Sequence, residues 1–224
     1  LGADIALVGK SLTLSPTKTL SQAFNLDITS SGQVSLPTVT TAAASKQLNI
    51  KSASLALDTL NANHTFTLNL EKVQAPISAF KVANNGANKI LTVHSNGHAT
   101  GVSSLTLGAA SFTLINNNSE LHMGPISGAQ ALTLNSTHPI TVANIGSQAA
   151  PLTSLAINND LKVTSASTWH LNNAIDLTTK ALHISADLAV HFNGKNVEIN
   201  TLNTSGNITV SFDNIGTLAI TNIH

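Results

Sequence analysis

Apolar side chains alternate with small or polar ones in many short segments of the chain, which is the pattern of half-buried β-strands. One set of segments recurs every 20 to 23 residues and contributes a pair of apolar residues each time. These pairs are Ile5/Leu7, Leu26/Ile28, Leu48/Ile50, Leu68/Leu70, Leu91/Val93, Phe112/Leu114, Leu132/Leu134, Leu155/Ile157, Ile175/Leu177, Val197/Ile199 and Leu218/Ile220. The residue inside each pair is Ala, Asp, Asn, Thr or Glu. A regular repeat of this kind predicts a solenoid in which each repeat forms one coil.

Further short strands lie between these pairs, so each repeat holds two or three strands. One group occupies residues 12–14, 34–36, 55–57, 121–123, 140–142, 161–163 and 182–184. Another includes Leu20, Val39, Leu60, Phe80, Ile126, Ile145, Leu171 and Val190/Phe192. A β-sandwich would show hairpin signals such as Asn-Gly every 8–12 residues or so. Asn-Gly occurs at residues 85–86, 96–97 and 193–194 but not in every repeat, which favours a solenoid.

The chain is therefore predicted to be all-β, a single parallel β-helix (β-solenoid) over residues 1–224 with about ten coils of about 21 residues. A right-handed coil is expected from the usual handedness of parallel crossovers. Glycine and proline fall between the strands, where bends have no ladder partner to satisfy. The chain begins and ends close to an apolar pair of the repeat, without a capping segment at either end. We therefore expect it to be a fragment of a longer solenoid.

The amino-acid composition argues against several classes of binding partner and site. Charged residues make up only 9% of the chain, ten Lys balance ten Asp plus Glu, and there is no Arg. Without Arg or a basic patch, nucleic acid is not expected as a partner. The absence of Cys excludes disulfides and thiolate metal sites. No apolar run approaches the roughly 20 residues of a transmembrane helix, and the first residues do not have the pattern of a signal peptide.

Residues 132–146 (LTLNSTHPITVANIG) and 151–157 (PLTSLAI) resemble the repeats of large bacterial secreted β-helix proteins. These are the autotransporter passenger domains and the filamentous-haemagglutinin-like exoproteins. The resemblance implies a bacterial cell-surface or extracellular location. It also implies a rod that projects adhesive modules or binds directly through its side walls and loops.

Parallel β-helices also include polysaccharide-cleaving enzymes, which need clustered carboxylates. The ten acids are scattered along the chain: Asp4, Asp27, Asp58, Glu71, Glu120, Asp160, Asp176, Asp187, Glu198 and Asp213. Asp176 and Glu198 occupy equivalent positions one rung apart, so they are expected to stack about 5 Å from each other. A retaining-type carboxylate pair is one interpretation, but two independent solvated side chains are favoured. No catalytic residue is predicted, and the protein is not expected to be an enzyme.

Histidine is frequent for so uncharged a chain, with nine residues. His94 and His98 lie four apart across a turn, and His183 and His191 flank a short loop. Neither pair has a nearby Cys or acid, so no metal site and no cofactor are predicted. Trp169, the only tryptophan, is interpreted as a core residue at a corner rather than an exposed platform for a sugar ring.

The favoured function is that of a structural or adhesive segment of a bacterial surface protein. Its expected partners are further copies of itself, neighbouring β-helix coils, or a host-surface protein or glycan. A crystalline surface-layer protein is a close variant of this idea. Two alternatives remain open, namely a carbohydrate-active β-helix enzyme and a cell-binding or oligomerising domain of a secreted toxin.

Overall fold

The computed structural model describes residues 5–15, 18–73, 80–84, 89–95, 99–108, 110–173 and 175–224. The regular structure in these residues is entirely β-strand, so none of them belongs to a helix that could cross a membrane. The strands are β1 (Ile5–Gly9), β2 (Leu12–Thr13), β3 (Thr19–Gln22), β4 (Leu26–Ser30), β5 (Gln33–Thr41), β6 (Lys46–Ser52), β7 (Ser54–Asn61), β8 (Phe66–Val73), β9 (Phe80–Asn84), β10 (Lys89–Ser95), β11 (Thr100–Leu107), β12 (Phe112–Asn117), β13 (Leu121–Met123), β14 (Ile126–Ser127), β15 (Ala131–Ser136), β16 (Ile140–Val142), β17 (Ser154–Ile157), β18 (Leu161–Val163), β19 (Ser167–Leu171), β20 (Asp176–Ile184), β21 (Leu188–Thr204) and β22 (Val210–Ile223).

These strands stack into parallel sheets that form a β-solenoid of about nine turns, about 21 residues apart. The first sheet has eight strands in the order β1-β4-β6-β8-β10-β12-β15-β17, and we call it the first wall. The remaining fourteen strands form the second sheet. The predicted all-β parallel solenoid of about ten coils is thereby confirmed. The right-handed coil stays a prediction.

Up to β19, the second sheet consists of two columns of strand segments that are joined within long strands such as β5, β7 and β11. The strands β20, β21 and β22 add a third column, in which Leu177 pairs with Ile199 and Ile199 with Ile220. The first part of β5 pairs with β2, whereas its second part pairs with β3. We call the column that contains β2, β13, β16 and β18 the second wall, and the column that contains β3, β9, β14 and β19 the third wall. Most coils therefore contribute a segment to each of three walls, and the interior lies between them.

An unbroken inner ladder on the third wall shows how the repeat fills the core. Its ten members pair from coil to coil in parallel register: Leu20, Val39, Leu60, Val82, Leu105, Ile126, Ile145, Trp169, Val190 and Phe212. Members 39 to 190 are almost completely buried. Each coil thus continues the apolar column of its neighbour, and stability is expected to be close to a sum of nearest-neighbour terms.

The first wall departs from the predicted register at two successive steps. The sequence pattern aligned Leu68 with Leu91, and Leu91 with Phe112. In the structure Leu68 pairs with Val93, and Leu91 pairs with Leu114. Both differences amount to two residues, so the same side chains still face the core because the pleat has a period of two. The third wall shows a similar difference of two residues. Val82 and Trp169 occupy the positions in the inner ladder that were predicted for Phe80 and Leu171.

Small polar residues are buried at the ends of several strands, where they bond to the backbone of a neighbouring coil. Ser30 donates its hydroxyl to the carbonyl of Lys10 at 2.9 Å, and Ser95 donates to the carbonyl of Asn117 at 3.2 Å. Such bonds satisfy groups that a bend removes from the ladder. In contrast, the strands at the two ends expose apolar side chains, with Val8 83% and Ile223 67% accessible.

Candidate functional site

Outward-facing side chains of successive coils stack into columns, because parallel strands lie about 4.8 Å apart. A polar column of five members runs along the first wall through Asp27, Asn49, Asn69, His94 and Asn117, which are register partners in consecutive coils. We call this column the polar ladder. It exists because each of these strands alternates inward apolar residues with outward polar ones.

Hydrogen bonds run along much of the polar ladder. The amide of Asn49 donates to the Asp27 carboxylate at 2.5 Å, and the amide of Asn69 donates to the Asn49 carbonyl oxygen at 2.5 Å. The amide of Asn117 lies 3.3 Å from Nδ1 of His94. An open groove of about 560 Å³ lies over Asp27, Asn49 and Asn69. The amides in this region therefore use much of their bonding capacity on each other.

A second cluster lies on the second wall, around two carboxylates. Glu120 contacts the Lys162 ammonium at 3.3 Å and Nε2 of His122 at 3.4 Å, although Lys162 is two coils away. Asp160 lies 3.8 Å from Nε2 of His183 and accepts a hydrogen bond from the backbone N–H of residue 181 at 2.9 Å. Both carboxylates are thus held by neighbouring side chains or backbone.

A third cluster lies on the third wall, where His170 and His191 occupy the same column in adjacent coils. Their rings stack with centroids 4.7 Å apart and planes 12° apart. Nδ1 of His191 lies 3.3 Å from the carboxylate of Asp213, which is its register partner in the following coil. The three side chains form a short row along the solenoid axis.

The pKa of His170 is lowered from its ordinary value of 6.5. Partial burial of the ring is the larger cause, because desolvation disfavours the imidazolium form. The neighbouring His191 is the second cause, since two positive charges in one stack repel each other. The stack therefore favours a neutral ring at His170.

A cleft of about 550 Å³ opens beside the histidine stack, and we call it the amide cleft. Four amide side chains line it together with His170, His191 and Pro151, and these four are Gln148, Asn172, Asn193 and Asn214. No side-chain hydrogen bond joins any of the four to another residue in the described part of the chain. Their donors and acceptors thus face open space.

The backbone around the amide cleft bends at three residues with left-handed φ angles. Gly146 has φ 63°, Gly194 has φ 69° and Asn214 has φ 52°. A Cβ at Gly146 would lie 2.6 Å from the carbonyl oxygen of His170, so only glycine fits this close approach. Gly194 has open space around it and meets only the φ requirement. These bends shape the corners that carry the cleft residues.

Comparison of the chain with protein-family models, with curated proteins and with solved structures finds no match. What the clusters do chemically must therefore be argued from their own geometry. Among the described residues, no group of three or more His, Asp and Glu side chains converges as a metal site would require.

Asp176 and Glu198 are register partners in adjacent coils, as the spacing predicted. The side chain of Asp176 lies outside the described part of the structure, so the interpretation as two independent side chains stays a prediction. Glu198 is exposed on β21.

The two predicted histidine pairs have different outcomes. His94 belongs to the polar ladder, and His98 lies outside the described residues. His183 and His191 do not meet, because His183 lies on the second wall beside Asp160 and His191 lies on the third wall. The side chains of His183 and His191 instead contact residues of neighbouring coils.

Trp169 is a core residue, as predicted, with 1% of its surface accessible. Its indole N–H donates to the carbonyl of Ala143 at 2.8 Å. It lies in the middle of β19 rather than at a corner. An exposed platform for a sugar ring is therefore not available at this position.

Sequence reasoning missed the stacking of His170 on His191. The signal was available, because the two residues are 21 positions apart and this separation equals the coil repeat. A search for polar residues separated by one repeat would also have found Asn49 and Asp27, which are 22 apart. His183 and His191, which are closer in sequence, lie on different walls.

Proposed function

We propose that the chain is a structural β-solenoid segment of a bacterial surface-exposed or secreted protein, with a first wall that mediates adhesion or self-association. The observation that carries the proposal is the polar ladder from Asp27 to Asn117 across five coils. Donors and acceptors recur there at the fixed spacing of the solenoid, about 4.8 Å.

A second solenoid has the same spacing, so its own outer columns match the polar ladder over several coils at once. Many weak polar contacts then add up without any single strong site. The formal net charge is zero with neutral histidines, so there is little repulsion to keep copies apart. Both properties support side-by-side contact between copies.

The proposed role is not catalytic. Glu120 and Asp160, the two carboxylates of the second wall described above, support this view because both are already engaged with Lys162, His122 or His183. A glycosidase would need one carboxyl group free to donate a proton and one free to attack or to activate water. The enzyme alternative therefore has no favoured pair among the described residues.

The bacterial and extracellular setting depends on the resemblance of residues 132–146 and 151–157 to the repeats of secreted β-helix proteins. Low charge and the absence of Cys agree with that setting. Host-surface proteins and glycans are proposed partners on the same basis.

Light scattering and small-angle X-ray scattering over a range of protein concentrations test the self-association. We expect an elongated particle whose mean mass rises with concentration. Thr92→Glu places a negative charge in the middle of the first wall, beside Thr67 in the previous coil. Like charges then oppose each other across the contact, so the associated fraction at a given concentration should fall about tenfold.

Thr106→Glu is the matched control, because it makes the same substitution on the third wall between Ala83 and Ser127. This variant should associate like the wild type. A particle whose mass is independent of concentration would contradict self-association, and equal loss in both variants would contradict the first wall as the contact surface.

A further inference from the structure

The amide cleft differs from the polar ladder in the use of its amide groups. In the polar ladder, the Asn69 amide donates to Asn49, and the Asn49 amide donates to Asp27. On the second wall, the Asn203 amide lies 3.1 Å from Nδ1 of His183. The four amides of the cleft have no such partners among the described residues.

These amides come from successive parts of the third wall. Asn172 follows β19, Asn193 lies in β21 and Asn214 lies in β22, while Gln148 belongs to the loop before Pro151. The coil repeat therefore brings three of them to equivalent corners, and the loop adds the fourth. A ligand in the cleft would meet all four together with the edges of His170 and His191.

The chemistry of the lining selects the class of ligand. A side-chain amide offers two N–H donors and a carbonyl acceptor, and a hydroxyl is likewise both donor and acceptor. Vicinal hydroxyl groups match several amides at once. The His170 ring, whose pKa is lowered, adds one donor and one acceptor in its neutral form, whereas Nδ1 of His191 is already engaged with Asp213.

Charged ligands fit less well. The lining has no Lys and no carboxylate, and Asp213 at its margin is engaged with His191. The histidine rings stack face to face, so their nitrogens do not converge on one metal ion. Neither an anion nor a divalent cation therefore finds its usual ligand set.

We infer that the amide cleft binds a neutral carbohydrate through the side chains of Gln148, Asn172, Asn193 and Asn214. Its volume of about 550 Å³ lies in the usual range of small-molecule sites. Because the cleft is open, binding is expected to be weak for one copy, with a Kd of about 1 mM. The inference gives the proposed adhesive role a ligand class and rests on that role for its biological meaning.

NMR titration of the ¹⁵N-labelled chain with maltotetraose, cellotetraose and chitotetraose tests this assignment. At least one of these neutral sugars should shift the side-chain amide signals of Asn172, Asn193 and Asn214. The signals of Asn49 and Asn69 in the polar ladder should stay in place. Absence of shifts at about 10 mM of every sugar, or shifts confined to other walls, would overturn the inference.

Variants separate the cleft from its surroundings. Asn172→Ala and Asn193→Ala each remove a partner of the ligand, and each should weaken binding about three- to tenfold. Asn173→Ala is the matched control, because this adjacent amide donates to the carbonyl of Thr153 at 2.8 Å and does not line the cleft. Unchanged affinity in the first two variants would overturn the assignment of these residues.

A tetramer of galacturonate serves as the charged arm of the titration. Tighter binding of this acidic sugar than of all three neutral ones would overturn the neutral class of ligand. Self-association is measured without sugar and depends on the first wall. If no sugar binds but the mean mass still rises with concentration, the inference about the cleft is wrong and the proposed self-association is unaffected. If a sugar binds but the mass does not change with concentration, the self-association is wrong and the inference about the cleft is unaffected.

Discussion

The polar ladder and the amide cleft contain the same kinds of side chain but use them differently. In the ladder, Asn49 lies in the middle of a flat strand and donates to Asp27 while it accepts from Asn69. In the cleft, Asn172 and Asn193 lie at corners where the chain bends, and they make no side-chain hydrogen bond to another described residue.

The difference teaches that backbone geometry decides how much of the hydrogen-bonding capacity of a polar repeat is used within the solenoid. Flat strands hold equivalent side chains about 4.8 Å apart along the axis, which suits amide-to-amide bonds. The left-handed residues Gly194 and Asn214 bend the chain at the corners that carry Asn193 and Asn214. The amide groups there remain available to other molecules.

The largest expected effect concerns the core beneath the cleft. Trp169→Ala removes the indole and its bond to the Ala143 carbonyl, and we expect a loss of about 3–5 kcal/mol in the free energy of unfolding. Because coils interact mainly with their neighbours, amide hydrogen exchange should rise around His170 and much less around Asn49.

Denaturant unfolding and residue-resolved hydrogen exchange measure these two quantities. Trp169→Phe keeps an aromatic ring in the same place and should cost clearly less than the alanine variant. A uniform rise in hydrogen exchange over all coils would contradict the expectation that coils interact mainly with their neighbours. The polar ladder and the amide cleft would then not respond independently.

An intermediate effect compares the two regions directly. Asn49→Ala removes the amide that donates to the Asp27 carboxylate and leaves the Asn69 amide only its longer bond to Gln47 at 3.4 Å, so we expect a loss of about 1–2 kcal/mol in stability. Asn172→Ala breaks no side-chain bond to the described residues, and its effect should stay within about 0.5 kcal/mol. Chemical denaturation measures the free energy of unfolding of both variants. Equal losses in the two variants would contradict a stabilising contribution of the ladder bonds.

The smallest effect is a change in the pKa of His170. Replacing its stacked neighbour by His191→Asn removes the repulsion between two imidazolium charges, so the pKa of His170 should rise. It should not return fully to 6.5, because desolvation is the larger cause and remains. An NMR pH titration of the imidazole ring signals measures both values.

The same shift gives the sign of the pH dependence. Folding lowers the pKa of His170, so the unfolded chain binds the proton more tightly. The contribution of this residue to stability is complete above pH 6.5 and is lost as the pH falls from 6.5 through the folded pKa. The control His138→Gln, at an exposed residue away from the stack, should leave the pKa of His170 unchanged. An unchanged pKa in His191→Asn would contradict the role of the stack.

The sequence predicted the solenoid because its signal is local and repeated. Pairs such as Leu26/Ile28 and Leu48/Ile50 show which side chains point inwards, and they are register partners in the structure. The buried position of Trp169 was also predicted, since a large apolar side chain between strand residues is more often part of the core.

The sequence did not determine which outer residues meet. A slip of two residues leaves every apolar side chain facing the core, so the pattern of Leu68, Leu91 and Phe112 permitted more than one register. The predicted register placed Asn69 beside Thr92, whereas the structure places it beside His94. The polar ladder therefore became visible only in the folded coils.

Inward and outward alternation, the coil repeat and the all-β class were thus determined by the sequence alone, because each depends on residues within one or two strands. The exact register of the first wall and the amide cleft were decided by tertiary structure. They depend on how many residues each corner takes up, and on bends such as that at Gly146, where the chain approaches the His170 carbonyl. A corner that is two residues longer or shorter shifts the register between neighbouring coils, but the same apolar side chains still face the core. The hydrophobic pattern therefore does not fix this shift, and the packing of the coils does.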